Sequence, residues 1–588
     1  MVFRALRRST ILRPYVATSR CVARCLARAS SSHVSKCRAN HAPLSPVPWL
    51  ERAALIFPDR TAVKYGTDIK VSYSELQTEA RRLASAISRA GVGKGEIVSV
   101  MIPNVPLGVT CHFAVPGIGA TLHMINTRLD ARAVAFQLEH AVSKLLIVDC
   151  ELASVAKAAL EIMEEQNRPR LVLVEDPLHP QWSSEDEEEL ADFVRTGDPE
   201  FSLCGPDNED DAVALSYTSG TTGNPKGVVT HHRGAALNAM NLSLTWPLVG
   251  NHVVYLWTLP MFHCNGWCFP WAVTAAGGTH VCLRYVRGEE ILERIAAEKV
   301  THMSGAPVVM NLMLATDDDR KRTLRDQVNP EKRSRLVVMM TAGSAPPPSV
   351  MRRMETELGV QPLASYGLTE VYGPATACVW GEDWSALSQD EQDLRMPWQA
   401  PSLIHDMYVA NRKGLEPVPA DGVTLGEVVF RGNGLMTEYL NNVHATSEAF
   451  DQARQGEWFR TGDLAVQHPE GRVEIKDRAK DIIISGGENI SSIEVESALH
   501  QHEAVLHVAV VAAEDRFWGE IPIAVVETKP GVQVSAEDIL QHARRTLAGF
   551  KCPKDVVFQE LPKTATGKIQ KHLLRAGIRA ARQAEVAA

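Results

Sequence analysis

The first fifty residues contain no aspartate or glutamate. Residues 1–40 carry eight arginines and one lysine instead, with six serines among them. A segment rich in arginine and serine and free of acids is typical of an organellar transit peptide, because a positive amphipathic helix is drawn to anionic membranes and by a negative-inside potential. We therefore expect residues 1–40 to be a transit peptide for the mitochondrion. The alternative is a disordered basic tail on a protein of the cytosol or of another organelle.

The rest of the chain has too few basic residues to bind a polyanion over most of its surface. Outside residues 1–40 it contains 52 lysines and arginines against 70 aspartates and glutamates, a formal charge of −18. A surface of that sign repels phosphate backbones. We expect no nucleic-acid partner.

Charged side chains are absent from Gly234 to Leu283. Pro247, Pro260 and Pro270 interrupt this stretch, and it holds no unbroken apolar run of about 18 residues, the length that a transmembrane helix needs. We therefore predict buried strands and helices at the centre of a large domain, and no integral membrane span.

The chain also lacks cysteine pairs at the spacing of a disulfide framework or a zinc site. Eight of its eleven cysteines are scattered outside residues 1–40, which favours free thiols in a reducing compartment. Cys264 and Cys268 lie close to His263 in sequence. Because no second pair of ligands accompanies them, we interpret them as small residues of a buried loop rather than as metal ligands.

Patterns typical of strands and helices alternate through most of the chain. Strand-like runs at residues 96–102 and 145–148 are separated by helical patterns, which predicts a mostly parallel sheet with crossover helices. Residues 74–89 predict a helix, with Ser74 and Gln77 as its capping box. The expected fold class is α/β.

The strongest local motif is a segment rich in glycine and hydroxyl groups at residues 217–227. It reads Tyr-Thr-Ser-Gly-Thr-Thr-Gly-Asn-Pro-Lys-Gly and follows a strand-like run at residues 211–216. Glycines let the backbone approach a polyphosphate, hydroxyls donate hydrogen bonds to its oxygens, and a lysine adds positive charge. The spacing of a P-loop is absent. We predict that phosphates are held by Thr218, Ser219, Gly220, Thr221, Thr222, Gly223 and Lys226.

Four further segments follow that loop. They are Tyr-Gly-Leu-Thr-Glu at 366–370, Thr-Gly-Asp at 461–463, Asp-Arg-Ala-Lys at 477–480 and Pro-Lys-Thr-Ala-Thr-Gly-Lys at 562–568. With these motifs the chain resembles the adenylate-forming superfamily, which includes acyl-CoA synthetases, firefly luciferase and the adenylation domains of peptide synthetases. The resemblance spans about residues 45–575. It looks closest to short- and medium-chain acyl-CoA ligases, including plant acyl-activating enzymes and methylmercaptopropionate-CoA ligases.

The resemblance implies an ATP-dependent acyl-CoA ligase that acts on a small to medium carboxylic acid. The acid forms an acyl adenylate with release of pyrophosphate, and the thiol of coenzyme A then displaces AMP. The implied cofactors are ATP, Mg2+ and, as a co-substrate, coenzyme A. One alternative is an enzyme that loads a carrier-protein thiol, although no carrier domain is appended. Another is a catalytically dead nucleotide-binding protein, although Lys568, Glu370 and Asp463 are present.

The resemblance also implies roles for individual residues. Lys568 reaches the carboxylate and the phosphate during adenylation, and Glu370 with Thr222 holds Mg2+. His263 completes the catalytic set as a wall of the carboxylate site, without acid or base work. The remaining implied nucleotide contacts are Gly343, Ser344 and Ala345 beside adenine, Tyr366 on the base, Gly367 next to it, Thr369 at the α-phosphate, and Asp463 and Arg478 at the ribose.

Three segments make up the expected domain organisation. Residues 1–40 are the transit peptide, residues 41–479 form a large AMP-binding and acyl-binding domain of layered sheets and helices, and residues 480–588 form a small mobile α+β lid. In the lid, the sequence predicts a helix that begins at Ser491. The resemblance implies a hinge at Lys480 that turns either Lys568 or the CoA-binding residues Ser485, Gly486 and Gly487 toward the cleft.

The resemblance outlines the acyl pocket only in part. Acetyl-CoA synthetases carry tryptophan at the position of Gly367, so glycine there permits a longer or branched chain. We expect a small to medium aliphatic acid and leave branched, thioether-bearing and aromatic acids open. The expected pocket residues are His263, Trp267, Met303, Pro307 and Gly367.

Overall fold

The computed structural model describes most of the chain from residue 39 onward. All of the elements below belong to the compact unit formed by residues 44–588. The described residues are 39–183, 188–218, 225–246, 248, 252–328, 337–343, 346, 348–450, 457–486, 488–563 and 569–587.

Sheet A has seven strands and is parallel except for its edge strand β2 (Ile69–Ser72). Its other strands are short and largely buried on both faces, as is typical of parallel sheets. Helices α9 (Gly288–Ala297), α10 (Pro307–Leu314), α11 (Asp318–Val328) and α12 (Pro348–Leu358) cover its outer face. In spatial order its strands are β13 (Val360–Ala364), β12 (Val337–Thr341), β11 (His302–Gly305), β9 (Val254–Leu256), β10 (Thr279–Cys282), β1 (Thr61–Tyr65) and β2.

Sheet B also has seven strands, of which five are parallel. In spatial order they are β20 (Glu438–Tyr439), β8 (Lys226–His231), β7 (Ala212–Thr218), β4 (Thr121–Met124), β3 (Ile97–Met101), β5 (Leu145–Asp149) and β6 (Arg170–Val174). The pairs β20 with β8 and β8 with β7 are antiparallel. The accompanying helices are α3 (Pro106–Ala114), α4 (Ala131–Ala141), α5 (Ala153–Ile162), α6 (Leu190–Arg195) and α7 (His232–Thr245).

A large hydrophobic core lies between sheets A and B. Side chains alternate along the strands of sheet A, so that Tyr255 and Cys282 pack into this core whereas Leu256 and Val281 pack against the outer helices. Helices α1 (Pro48–Ile56), α2 (Tyr73–Arg89) and α8 (Phe269–Ala275) also contribute to the core. The uncharged stretch between residues 234 and 283 supplies much of it, as predicted, with Trp257, Phe269 and Trp271 fully buried.

Arg284 joins the two sheets through a buried ionic cluster. It follows β10 of sheet A, and its guanidinium lies 2.6 Å from Asp149 at the end of β5 and 2.7 Å from Asp176 just after β6 of sheet B. Glu151 adds a third carboxylate at 2.6 Å. The side chains of Arg284, Asp149 and Asp176 are at most 4% exposed. Tyr65 also donates a hydrogen bond to Asp176.

A smaller antiparallel sheet, sheet C, completes the part of the fold before residue 480. Two short antiparallel strand pairs precede it: the hairpin of β14 (Gly367–Leu368) with β15 (Gly373–Pro374), and the pair of β16 (Thr376–Ala377) with β17 (Ala400–Pro401). Helix α13 (Gln389–Arg395) lies between β16 and β17, and helix α14 (Val443–Ala449) follows β20. The strands of sheet C are β18 (His405–Ala410), β19 (Leu425–Gly432), β21 (Phe459–Gln467) and β22 (Val473–Arg478).

Residues after 480 form an α+β layer with its own hydrophobic core, which includes Val510, Val526 and Ile539. Helix α15 (Ser492–Leu499) begins as predicted, because Ser491 accepts a hydrogen bond from the Glu494 amide. The sheet order is β24 (Glu488–Ile490), β23 (Ile483–Ser485), β26 (Gly519–Thr528) and β25 (Val505–Asp515), with β27 (Asp555–Phe558) beside β26, and the other helices are α16 (Ala536–Thr546) and α17 (Lys571–Ala587). A domain boundary at residue 480 stays a prediction.

The predicted cap of helix α2 is wrong by one half-turn. The capping box consists of Ser72 and Glu75, not of Ser74 and Gln77. Ser72 ends strand β2 in an extended conformation, which is the backbone geometry that a helix N-cap requires. Among the described residues, no helix has both the length and the apolar character that crossing a membrane requires.

Candidate active site

The predicted phosphate loop connects two paired strands. Strand β7 ends at Thr218 and strand β8 begins at Lys226, and these two residues are partners in the antiparallel ladder. The Lys226 ammonium lies 4.6 Å from the ring centroid of Tyr439, a cation–π contact. The hairpin therefore fixes both ends of the loop, with the lysine against β20.

Glu370 lies in a single helical turn directly after strand β14. Its Oε1 accepts a hydrogen bond of 2.7 Å from the hydroxyl of Tyr439. Burial raises the pKa of Glu370, and the hydrogen bond from Tyr439 opposes that shift. Tyr439 thus contacts both Lys226 and Glu370. The sequence prediction missed Tyr439, because a tyrosine outside the quoted motifs does not reveal which distant side chains it meets.

Asp463 lies on β21 opposite Arg478 on β22. Its Oδ2 accepts a hydrogen bond of 2.7 Å from the Tyr366 hydroxyl, and its Oδ1 lies 3.4 Å from Nε of Arg478. Burial, followed by the charge of Asp463, raises the pKa of Tyr366. The ring of Tyr366 stacks on Phe430 at 6.1 Å between centroids. Three predicted ribose and base residues therefore meet in one polar group beside sheet C.

Thr369 connects the nucleotide side to the predicted acyl side. The Cys264 thiol donates a hydrogen bond to Thr369 Oγ1 at 3.4 Å. Burial raises the pKa of Cys264 to about 12, so the thiol is neutral and keeps its proton at physiological pH. Gly343, a predicted nucleotide contact, follows β12 in the left-handed region with φ of 91°.

The predicted acyl-pocket residues do not all lie on one wall. Trp267 packs in the core between sheets A and B, whereas Met303 on β11 packs with the outer helices, on the opposite face of sheet A. The next residue on β11, the buried Ser304, points toward the side of Trp267 because side chains alternate along a strand. Pro307 begins α10, and His263 is half-buried just before a turn at residues 264–268.

The neighbouring backbone leaves no room for a side chain at Gly367. A Cβ atom at this position would lie 1.8 Å from the carbonyl oxygen of Gly373, its neighbour across the hairpin of β14 and β15. That oxygen belongs to the backbone and cannot move aside without opening the hairpin. The need for glycine at residue 367 therefore exists in this structure whatever the length of the acyl chain.

Lys480 and the predicted CoA-binding residues lie near one another in sequence but in different surroundings. Burial lowers the pKa of Lys480, and its carbonyl oxygen accepts a hydrogen bond from Arg575 at 3.4 Å. Ser485 ends β23. Gly486 has φ of 59°, and a Cβ atom there would lie 2.7 Å from the ring of Trp518. The predicted residues outside the described part of the chain are Ser219, Gly220, Thr221, Thr222, Gly223, Ser344, Ala345, Gly487 and Lys568.

Comparison with known proteins decides the family. The family model described as "AMP-binding enzyme" matches residues 50–440, and the model of its C-terminal domain matches residues 494–568. The chain belongs to the AMP-binding enzyme family. This membership confirms the predicted adenylate-forming superfamily.

Named relatives cover nearly the whole chain. An acetate–CoA ligase of Humulus lupulus is 44% identical over 92% of this chain and 95% of its own length, and an acetate/butyrate–CoA ligase of Arabidopsis thaliana is 43% identical over the same shares. The solved structure of an anthranilate CoA ligase with anthranoyl-AMP has a TM-score of 0.78 at 24% identity and covers 93% of this chain and 100% of that one. The predicted fold class and the predicted activity class, ATP-dependent acyl-CoA ligase, are confirmed.

The predicted mitochondrial location is contradicted. The Arabidopsis relative is named as peroxisomal, and so are three further relatives at 40 to 43% identity. The composition of residues 1–40 misled the prediction, because a basic segment free of acids is attracted to any anionic membrane surface and does not by itself specify one organelle.

Proposed function

We propose that the protein converts a short-chain carboxylic acid to its coenzyme A thioester in two steps within one cleft. In the first step, a carboxylate oxygen attacks the α-phosphate of ATP, and pyrophosphate leaves with the electrons of the broken P–O bond. In the second step, the sulfur of coenzyme A attacks the acyl carbonyl and AMP leaves. Three contacts carry this proposal: the Tyr439 hydroxyl donates a hydrogen bond to Glu370, the Tyr366 hydroxyl donates one to Asp463, and Asp463 lies 3.4 Å from Arg478.

The first step needs charge neutralisation rather than a base. A carboxylic acid with a pKa near 4 is already ionised at pH 7, so two anions must be brought together and aligned. Lys226 is held at the end of the phosphate loop by its contact with Tyr439. We assign the same kind of task to Lys568, on the resemblance of its motif. Both lysines place positive charge near the phosphates in an otherwise acidic protein.

Glu370 has the chemistry of a ligand for Mg2+. This cation binds proteins through one or two carboxylates and completes its shell with water and substrate phosphates. Glu370 is half-buried and accepts one hydrogen bond from Tyr439, which leaves further lone pairs for a metal. Thr222 of the phosphate loop is the second residue we assign to the ion. The bound cation would neutralise charge on the phosphate oxygens.

The polar groups around Asp463 suit a nucleoside monophosphate. One oxygen of Asp463 accepts a hydrogen bond from the Tyr366 hydroxyl. An ionised carboxylate can accept further hydrogen bonds, for example from ribose hydroxyls. Thr369 accepts the thiol hydrogen of Cys264, so its own hydroxyl hydrogen remains to donate to a phosphate oxygen. We assign Asp463 and Arg478 to the ribose and Thr369 to the α-phosphate.

The second step is assigned to residues 480–588 acting as a lid. We propose that rotation about Lys480 moves the Lys568 segment out of the cleft and brings Ser485, Gly486 and Gly487 in. Glycines at this point allow the narrow pantetheine arm to pass close to the backbone. The boundary between residues 479 and 480 belongs to this proposal.

The acid is proposed to be a short aliphatic one. The relatives in Humulus lupulus and Arabidopsis thaliana are named for acetate and butyrate. Trp267 is a bulky, buried side chain next to the hairpin that contains Gly367. Acetate, propanoate and butanoate are therefore the first acids to assay, followed by branched and aromatic ones.

The test is a panel of acids in two assays. Acid-dependent exchange of pyrophosphate into ATP measures the first step, and coenzyme A-dependent release of AMP measures the second. We expect both activities with at least one short acid. Exchange without thioester formation on free coenzyme A would favour the loading of a carrier protein, and no exchange with any acid would exclude both enzymatic functions.

A single substitution tests the assignment of Lys568. Lys568→Ala is expected to lower exchange about 100-fold or more, because a group that stabilises transition-state charge is lost. It should leave thioester formation from supplied acyl adenylate nearly intact. Lys563→Ala is the matched control from the same segment, since Lys563 is paired with Glu527 at 3.0 Å. Equal loss of both half-reactions in Lys568→Ala would contradict its assignment to the first step alone.

A further inference from the structure

Five consecutive residues beside the proposed acyl site adopt the left-handed backbone region. The φ angles are 41° at Cys264, 42° at Asn265, 61° at Gly266, 52° at Trp267 and 62° at Cys268. We call residues 264–268 the left-handed turn. Four of them are not glycine, although L-residues avoid this region because Cβ approaches the next carbonyl oxygen.

Such a run persists only where surrounding contacts hold it, and strained backbone of this kind concentrates at functional sites. Asparagine is among the non-glycine residues that enter the left-handed region most readily. Asn265, the second residue of the turn, is fully buried. The contacts of its side chain show what holds the turn in place.

The Asn265 amide connects the turn to two strands of sheet B. Its Oδ1 accepts a hydrogen bond of 3.0 Å from the Ser216 hydroxyl on β7, and its Nδ2 donates one of 3.2 Å to the Leu122 carbonyl on β4. Both bonds are buried. His112 Nε2 also lies 3.3 Å from the Asn265 carbonyl oxygen. The turn is thus held by directed hydrogen bonds as well as by packing.

The same turn contacts residues assigned to the acid and to the nucleotide. Ser216 lies on β7 two positions before Thr218, the first of the predicted phosphate contacts. Within the turn, the Cys264 thiol donates a hydrogen bond to Thr369, and Trp267 packs against Gly373 of the hairpin that begins at Gly367. A displacement of the turn would therefore change the distance between the acyl wall and the α-phosphate.

We propose that Asn265 is a positioning residue that fixes the acyl wall relative to the phosphate loop. The inference rests on the proposed acyl-CoA ligase function. Through Ser216 and Leu122, Asn265 holds the left-handed turn so that the carboxylate and the α-phosphate meet at a set separation. Asn265 touches neither substrate, and its effect is on acid binding and alignment.

Two substitutions separate the contribution of the Asn265 side-chain amide from that of the left-handed backbone conformation. Asn265→Gly keeps the left-handed conformation accessible and removes the amide, whereas Ser216→Ala leaves the turn sequence unchanged and removes one bond to it. Asn441→Gly is the matched control, because Asn441 is an exposed asparagine with φ of 52° elsewhere in the chain. Thermal unfolding of each variant reports whether the fold is retained.

Steady-state kinetics of pyrophosphate exchange measure the effect of each substitution on acid binding. Asn265→Gly is expected to raise the KM for butanoate at least tenfold in pyrophosphate exchange and to leave the KM for ATP within twofold, since the lost hydrogen bonds act on the acyl wall. Ser216→Ala should also raise the KM for butanoate. The double variant should raise this KM little beyond Asn265→Gly, because the bond that Ser216→Ala removes is already lost in Asn265→Gly. Asn441→Gly should match the wild type.

Binding of two nucleotides keeps the inference testable apart from activity. Affinities for AMP and for a butanoyl sulfamoyl adenosine, a stable acyl-adenylate mimic, are measured by calorimetry. Asn265→Gly should weaken the mimic at least tenfold and AMP by less than twofold. An unchanged affinity for the mimic, or equal losses for both nucleotides, would overturn the role of Asn265. If the wild type binds both nucleotides but shows no exchange with any acid, the proposed function fails and the calorimetry still decides the inference.

Discussion

Replacing Arg284 by methionine removes the guanidinium from the buried cluster that joins sheets A and B. Methionine keeps most of the aliphatic volume, so the main change is electrostatic. Asp149 and Asp176, whose side chains are 2% and 4% exposed, would lose their cation. Glu151 is 29% exposed and can turn toward water. We expect two uncompensated buried carboxylates.

The magnitude follows from the burial of the cluster. Breaking a buried ion pair by removing one partner costs about 3–5 kcal/mol, because a charge is left without compensation in a medium of low polarity. The entropy of unfolding is about 2.1 cal/mol/K per residue, so a chain of roughly 500 ordered residues loses on the order of 1 °C of midpoint per kcal/mol. Arg284→Met is therefore expected to lower the free energy of unfolding by about 3–5 kcal/mol and the midpoint by about 3–5 °C.

Thermal and urea unfolding measure this loss, and an exposed ion pair provides the control. Arg322 lies 2.9 Å from Asp319, and their side chains are 67% and 91% exposed. Arg322→Ala should cost less than about 1 kcal/mol, since water and salt screen such pairs. The double variant Arg284→Met with Asp149→Asn should recover part of the loss by removing one buried charge. A cost below about 1 kcal/mol for Arg284→Met would refute the reasoning from burial.

Three further predictions concern the site and its surroundings. Tyr439→Phe removes the hydrogen bond to Glu370 and should raise the Mg2+ concentration for half-maximal pyrophosphate exchange about tenfold, since groups that orient a metal ligand affect metal affinity; AMP binding without metal should not change in calorimetry. Gly367→Ala should lower kcat/KM for every acid alike, because its Cβ would lie 1.8 Å from the carbonyl oxygen of Gly373; a selective loss of long acids would instead support a pocket role. Burial lowers the pKa of His112 from 6.5 to about 4, so the unfolded chain binds more protons between these values, and stability should be full above about pH 6.5 and fall toward pH 4. Melting points that are equal at pH 7 and pH 5 would contradict this last prediction.

Local features of the fold were accessible from the sequence. The helix that begins after Ser491 and the strand before the phosphate loop lie close to their predicted positions, because hydrophobic periodicity and caps act over a few residues. The cap of helix α2 was misplaced because Ser72 and Ser74 both have the side chain of an N-cap. Only the end of strand β2 decides between them.

The site was predictable where its chemistry is concentrated in short motifs. The motifs at residues 366–370, 461–463 and 477–480 contain Tyr366, Asp463 and Arg478, which the structure brings together. Met303 was grouped with Trp267 although the two lie on opposite faces of sheet A. A sequence does not reveal the face on which a single strand residue lies until the register of the strand is known.

By itself, the sequence determined the family and the class of reaction, because the reaction needs particular side chains in short, recognisable segments. Only the tertiary structure decided which distant residues support them. Tyr439 and Glu370 are hydrogen-bonded although they are 69 positions apart in the sequence, and so are Asn265 and Ser216, which are 49 positions apart. The left-handed turn was equally inaccessible, since its backbone conformation is disfavoured locally and depends on the packing and hydrogen bonds of neighbouring strands.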